Sequence, residues 1–127
     1  MYNVKRQNIH DTKSVCYIGK RIGEEINDYG TEIPIYEKPI KYMFNIMPLS
    51  SDLDIAEYGE KISSMYKTIL TKNLYIGKIK EGDIAYLNGA SPEGENINTY
   101  GSNGNYIVRT VMPQNTVIVV YFERLQK

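Results

Sequence analysis

The sequence predicts a mainly β protein, a small antiparallel β-barrel or sandwich of about six to seven strands with one short helix and long loops. Short apolar or alternating segments recur along the 127 residues, separated by Gly, Asn, Asp and Pro. One segment, residues 117–122, reads Val-Ile-Val-Val-Tyr-Phe and is apolar on both faces, as in a strand that is central or covered by a neighbouring subunit. Tyrosine, which favours strands, occurs 12 times, against 2 Phe and no Trp.

Length and charge limit the classes of protein that need to be considered. We expect residues 1–127 to form a single β-barrel domain, with residues 1–12 as an irregular N-terminal arm. The 15 basic and 15 acidic residues balance, which argues against a free nucleic-acid binder. Apolar runs are too short for a membrane span, and residues 1–7 lack the apolar core of a signal peptide.

The N-terminal half predicts three strands. Residues 13–18 form the first, and residues 19–31, with three glycines, form a turn or an extended hairpin tip. Residues 32–37 contain Pro34, which limits this segment to an edge or a short strand. Apolar and polar side chains alternate over residues 40–46, which predicts a strand with one buried face.

A capped helical turn of about seven residues follows. Ser51 and Asp54 match a capping box, and Gly59 is a natural helix stop. Residues 61–70 favour a strand, although the helical spacing of their apolar residues leaves a helix as the alternative. We also expect Gly59→Val to harm folding more than Gly101→Val, because Gly101 lies in a long loop.

The C-terminal half predicts a strand at residues 84–87, a long loop, and a hairpin formed by residues 106–112 and 116–123. The loop, residues 88–105, is rich in Gly, Asn and Ser and has few apolar anchors. A loop of this length in a compact domain is functional or disordered. We expect it to tolerate shortening, because loop length contributes little to the entropy of folding.

The sequence contains no recognisable catalytic set, and we expect no enzyme activity, metal or cofactor. Cys16, the single cysteine, lies in a predicted strand and is expected to be a buried apolar residue. His10, the single histidine, lies in a polar stretch. Glu93 and Glu95 belong to the long loop and are expected to be solvated, since paired catalytic carboxylates need rigid placement in a cleft.

Five short segments, in order along the chain, carry a family resemblance. They are residues 45–48 (Asn-Ile-Met-Pro), 54–59 (Asp-Ile-Ala-Glu-Tyr-Gly), 82–87 (Gly-Asp-Ile-Ala-Tyr-Leu), 105–108 (Asn-Tyr-Ile-Val) and 121–125 (Tyr-Phe-Glu-Arg-Leu). Together they resemble the head-closure, or stopper, proteins of the head–tail connector in long-tailed bacteriophages. The resemblance spans residues 45–125, about two thirds of the chain, and leaves residues 1–39 uncovered.

The resemblance implies a small β-barrel that forms a homo-oligomeric ring of about six or twelve subunits in the neck of the virion. Its partners would be portal and adaptor proteins above and tail-terminator or tail proteins below. Packaged DNA would pass through the channel without specific binding, and the ring would seal it after packaging. Such proteins assemble in the cytoplasm of the bacterial host and have no enzyme activity or membrane partner.

The resemblance also suggests where this subunit would contact its surroundings. Residues 88–105 are the candidate channel or partner loop and residues 19–31 a second candidate. The loop holds two carboxylates and no Lys or Arg, so near DNA it would be a steric plug or repulsive lining. The candidate loop residues are Ser91, Glu93, Glu95, Asn96, Asn98 and Tyr100. The candidate subunit-interface residues, chosen because tyrosine is enriched at interfaces, are Tyr58, Tyr66, Tyr106 and Tyr121.

Two other functions remain open. A tail-completion or tail-terminator subunit would also be a small β-rich ring protein. An oligonucleotide-binding barrel would need aromatic and basic residues on one face. The residues that could supply such a face are Lys61, Lys67, Tyr66 and Tyr75.

Overall fold

The structure, a computed structural model, describes residues 13–125. The described residues form nine strands and three short helical segments. The strands are β1 (Lys13–Gly19), β2 (Arg21–Ile26), β3 (Glu32–Tyr36), β4 (Ile40–Asn45), β5 (Met47–Pro48), β6 (Met65–Thr71), β7 (Ile84–Tyr86), β8 (Tyr106–Pro113) and β9 (Val117–Arg124). The helical segments are α1 (Asp52–Tyr58), a 3₁₀ helix (Gly59–Ser64) and α2 (Lys72–Tyr75).

Among the described residues, seven strands form one antiparallel sheet in the order β4-β1-β7-β8-β9-β6-β5. The sheet curls into a half-barrel, and the remaining strands, β2 and β3, pair as a separate hairpin. The predicted mainly β class is therefore confirmed. The strand count is higher than predicted because β2 and β5, which lie in segments that were not predicted as strands, also pair with neighbours.

Strand β9 is central, as its two apolar faces predicted. Ile118, Val120 and Phe122 point into the main core and are fully buried. Val119 and Tyr121 point to the opposite face, where they pack with residues from α1, the 3₁₀ helix and their flanks. The chain therefore covers both faces of this strand itself, without a neighbouring subunit.

Cys16 lies on β1 in the main core with no exposed surface, which confirms its predicted role as a small apolar residue. Burial raises the pKa of its thiol from 9.0 to about 12. The neighbouring strand β4 contributes Phe44, whose ring stacks on Tyr42 and meets the edge of Tyr75 from α2. These aromatic contacts join one end of the sheet to the segment after β6.

The predicted capping box starts α1. The Asp54 amide donates to Ser51 Oγ at 3.1 Å, and the Ser51 amide reaches Asp54 Oδ2 at 3.4 Å. Gly59 ends the α-helix with a positive φ of 53°, but the chain continues as a 3₁₀ helix to Ser64. The strand predicted at residues 61–70 is therefore correct from Met65 onward, and its first four residues are helical.

Residues 21–36, called the arm below, form the β2–β3 hairpin. The predicted turn region at residues 19–31 supplies β2, and the Asn27 side chain closes the tip by accepting from the amides of Tyr29 and Thr31. Every residue of β2 and four of the five in β3 are exposed. The arm is thus a two-stranded projection with little burial of its own.

Within residues 13–125, no helix is long and apolar enough to cross a membrane. The predicted irregular segment at residues 1–12, with His10, lies outside the described residues.

Candidate functional site

Glu95 holds the long loop, residues 88–105, in one conformation. Its carboxylate accepts from the Tyr86 hydroxyl, which lies 2.6 Å from Oε2 and 2.8 Å from Oε1. The same carboxylate accepts from the amides of Gly101 at 2.8 Å and Asn103 at 3.1 Å. Glu95 is therefore not a solvated residue of a flexible loop, as its sequence context suggested, but the group around which the loop folds.

The loop is anchored at its base as well as at its centre. Tyr86 has no exposed surface, and burial together with the Glu95 carboxylate raises the pKa of its hydroxyl well above the ordinary value. The Asn105 side chain spans the two ends of the loop by accepting from the Leu87 amide and donating to the Leu87 carbonyl, both at 2.9 Å. These contacts make the loop part of the folded domain.

The other predicted loop residues differ in exposure. Glu93, Asn96 and Asn98 are exposed, while Ser91 and Tyr100 are half-buried. Asn96 serves a local turn, because its Oδ1 accepts from the Asn98 amide at 3.0 Å. The structure thus brings the six candidates onto one loop, whose exposed surface carries the Glu93 carboxylate, polar side chains and one apolar side chain, Ile97.

The loop packs against the arm through Gly101. This glycine is buried with a φ of 88°, and a Cβ built on it would collide with the Tyr36 ring, lying 2.9 Å from Cγ. No atom lies within 4 Å of a Cβ built on Gly59. The expected order of the two glycine substitutions is therefore reversed. Shortening the loop would also remove Glu95, so it is not expected to leave folding unchanged.

The root of the arm is fixed by Asp83, which is 1 % exposed. Its carboxylate accepts from the Arg21 amide at 3.0 Å and the Lys80 amide at 2.9 Å. Burial raises the pKa of Asp83, and the two amide hydrogen bonds oppose that shift. Directly outside the two ends of the arm, the Glu37 amide donates to the Lys20 carbonyl at 2.8 Å. The arm therefore leaves the sheet from a firmly held base.

The four candidate interface tyrosines form two pairs inside the chain. Tyr58 and Tyr121 have ring centroids 5.1 Å apart, and Tyr66 and Tyr106 have centroids 5.7 Å apart. Tyr106 and Tyr121 are only 5 % and 8 % exposed. The tyrosine excess is thus used here in the packing of this chain, which leaves little of these two rings for a contact between subunits.

A polar cluster joins α1 to the sheet. Asp54, 2 % exposed, accepts from Lys67 Nζ at 2.8 Å and from the Tyr121 hydroxyl at 3.2 Å. Burial raises the pKa of Asp54, but the hydrogen bonds from Lys67 and Ser51 outweigh it and lower the pKa overall. Burial and the nearby Asp54 carboxylate raise the pKa of Tyr121 to about 12. Each group is satisfied by the others, as in a structural clamp.

The four residues that could form an oligonucleotide-binding face are engaged in contacts within the chain. Lys67 is paired with Asp54, and Lys61 lies 3.8 Å from the Glu123 carboxylate. Tyr66 and Tyr75 are half-buried against the main core. Stacking of bases needs exposed rings beside free cations, so this geometry disfavours that function. Residues 13–125 also contain no cluster of three or more His, Cys, Asp or Glu side chains that could hold a metal ion.

No family model, curated protein sequence or solved structure matches this chain.

The feature that sequence reasoning missed is the exposed apolar surface of the arm. Tyr29 is 92 % exposed at its tip, and four isoleucines along its strands, which are 37–69 % exposed, are Ile22, Ile26, Ile33 and Ile35. The signal was present in the sequence, because residues 21–26 and 32–36 flank a turn rich in Asn, Asp and Gly. Residues 19–31 were predicted as a turn or an extended hairpin tip and residues 32–37 as an edge or short strand, and neither prediction indicated that the isoleucines would be exposed together.

Proposed function

We propose that this chain is a ring-forming head-closure, or stopper, subunit in the neck of a long-tailed bacteriophage. The ring would seal the DNA exit channel after packaging and offer the docking surface for the tail. The observation that carries the proposal is the arm, a firmly anchored hairpin on which five large apolar side chains are 37–92 % exposed. Exposed apolar surface of this kind is typical of protein–protein contacts.

The sequence segments at residues 45–125 supply the link to the head-closure family, and the fold is compatible with it. The half-barrel is mainly β, and the ordered loop at residues 88–105 is acidic without Lys or Arg. A fixed acidic loop would repel DNA phosphates, so it suits a plug or lining past which DNA slides. Portal or adaptor proteins and tail proteins would be the neighbours of the ring.

The proposal is tested by a nonsense mutation in the gene, placed in the phage that carries it. We expect heads that package DNA but lose it, and tails that remain unattached. Heads that keep their DNA beside unfinished tails would instead indicate the tail-completion or tail-terminator role. Normal virions would contradict both neck functions.

The role of the loop is tested without disturbing its fold by Glu93→Lys. Glu93 is exposed, whereas Glu95 holds the loop together. If the loop lines the channel, the reversed charge attracts DNA and slows its ejection from purified virions. The matched control is Glu60→Lys, an equal charge change at an exposed site in the 3₁₀ helix. Equal ejection rates in the two variants would remove the loop from the channel.

A further inference from the structure

A second surface of the molecule is concave and has a positively charged rim, whereas the arm projects and is acidic. A groove of about 420 Å³ lies at the root of the arm beside β4. Its apolar lining includes Ile40, which is 58 % exposed, and Tyr42. The charged groups around it are Lys20, Lys38, Lys78 and one carboxylate, Glu37.

The arm is complementary to this groove both in charge and in its apolar side chains. The strand register pairs Ile26 with Glu32 on one face of the hairpin and Ile33 with Glu25 on the other, so each face presents apolar and acidic side chains together. The sequence of the arm contains four carboxylates, Glu24, Glu25, Asp28 and Glu32, and one cation, Arg21. The Arg21 guanidinium already pairs with Glu24. The arm therefore carries an excess of negative charge, and the groove an excess of positive charge.

The arm cannot fill the groove of its own chain. The groove lies at the root of the arm, and six residues of β2 carry the tip about 20 Å away from that root. Folding back would break the β2–β3 ladder, which pairs Glu25 with Ile33 and Ile26 with Glu32. The complementary partner is therefore another molecule.

We propose that the arm of one copy docks in the lysine-rimmed groove of the next copy. This inference rests on the proposed ring and names the surfaces that would build it. Each copy offers one arm and one groove, and such a head-to-tail contact closes into a ring when the rotation between copies permits. Strand β4 is terminal in the seven-stranded sheet of the described residues, so its outer edge can accept a neighbour.

The test uses two charge-reversed variants of the full chain. Glu25→Lys with Glu32→Lys reverses the arm, and Lys38→Glu with Lys78→Glu reverses the groove. The arm variant should still fold. A side-chain hydrogen bond to Glu24 and the like charge of that carboxylate raise the pKa of Glu32, and Glu32→Lys replaces the like-charge contact with an attractive one. All four positions are exposed.

Sedimentation equilibrium at low salt, up to about 1 mM protein, measures self-association. We expect wild type to associate and each variant alone to weaken association at least about tenfold. An equimolar mixture should restore association, since the reversed arm fits the reversed groove and the native arm fits the native groove. The matched control, Glu57→Lys with Glu60→Lys, changes two exposed carboxylates outside the arm, in α1 and the 3₁₀ helix, and should associate as wild type does.

Four results would overturn the contact: a monomeric wild type throughout the range, variants that associate like wild type, a control as impaired as the arm variant, or a mixture that stays dissociated. A groove variant that loses binding to duplex DNA while retaining self-association would assign the lysines to DNA instead. If this self-association test fails but the chain is located in the virion neck, the contact is overturned and the proposed function stands. If the chain self-associates as expected but is absent from the neck, the contact between copies stands and the proposed function is overturned.

Discussion

Removing the Glu95 carboxylate should unfold the long loop and destabilise the whole domain. In Glu95→Ala, the Tyr86 hydroxyl, on a fully buried side chain, loses its acceptor, as do the amides of Gly101 and Asn103. An unsatisfied buried hydroxyl costs about 1–3 kcal/mol, and water can solvate the Asn103 amide in compensation. We therefore expect a loss of about 3 kcal/mol in the free energy of unfolding.

Urea denaturation followed by circular dichroism measures this loss, with thermal melts as a second reading. The expected fall in Tm is about 10 °C for a domain of this size. Glu93→Ala is the matched control, because Glu93 is exposed on the same loop and should change stability by less than about 0.5 kcal/mol. Equal losses in the two variants would refute the assignment of Glu95 as the anchor of the loop.

A double-mutant cycle identifies the contact responsible. Tyr86→Phe alone should cost about 1 kcal/mol, since Glu95 keeps its two amide donors. Combined with Glu95→Ala, it should add little, because the buried hydroxyl is no longer present to be left unpaired. Additive losses would show that the two side chains act independently.

The remaining predictions concern glycine, charge and thiol. Gly101→Ala should cost about 2 kcal/mol more than Gly59→Ala, because both have positive φ but only the former meets a ring; equal thermal melts would contradict this. Lys67→Met should cost about 3 kcal/mol near pH 7 by leaving Asp54 buried without its cation. The lowered pKa of Asp54 stabilises the folded chain above pH 3.8, the ordinary pKa of this group, and the stabilisation is lost as the pH falls through the pKa of the folded state. Acid unfolding of Lys67→Met should therefore begin at a higher pH than that of wild type. An acid unfolding curve identical to that of wild type would contradict the clamp. Cys16 should react with a thiol reagent at pH 8 only as fast as the chain unfolds, and rapid labelling of native protein would contradict its burial.

The sequence predicted those parts of the fold that depend on local patterns. Alternation located β4, the Ser51 and Asp54 pair located the start of α1, and the apolar run at residues 117–122 located the central strand. Each of these follows from the side-chain period or from a contact three residues apart.

What could not be predicted depends on contacts between distant residues. The Arg21 amide and Asp83 carboxylate that hold the arm are 62 positions apart. Composition showed that tyrosine was abundant, but not that Tyr121 would be covered by α1 and its flanks within the same chain. Glu95 was expected to be solvated because its donors, the Tyr86 hydroxyl and the amides of Gly101 and Asn103, come together only when the loop folds.

Locating the chain in the virion shows whether it is a neck subunit. Purified phage particles, labelled with gold-conjugated antibody against the chain and imaged by electron microscopy, should carry label at the head–tail junction. Label on the capsid shell, along the tail tube or at the tail tip, or virions without the chain, would rule out a place in the neck.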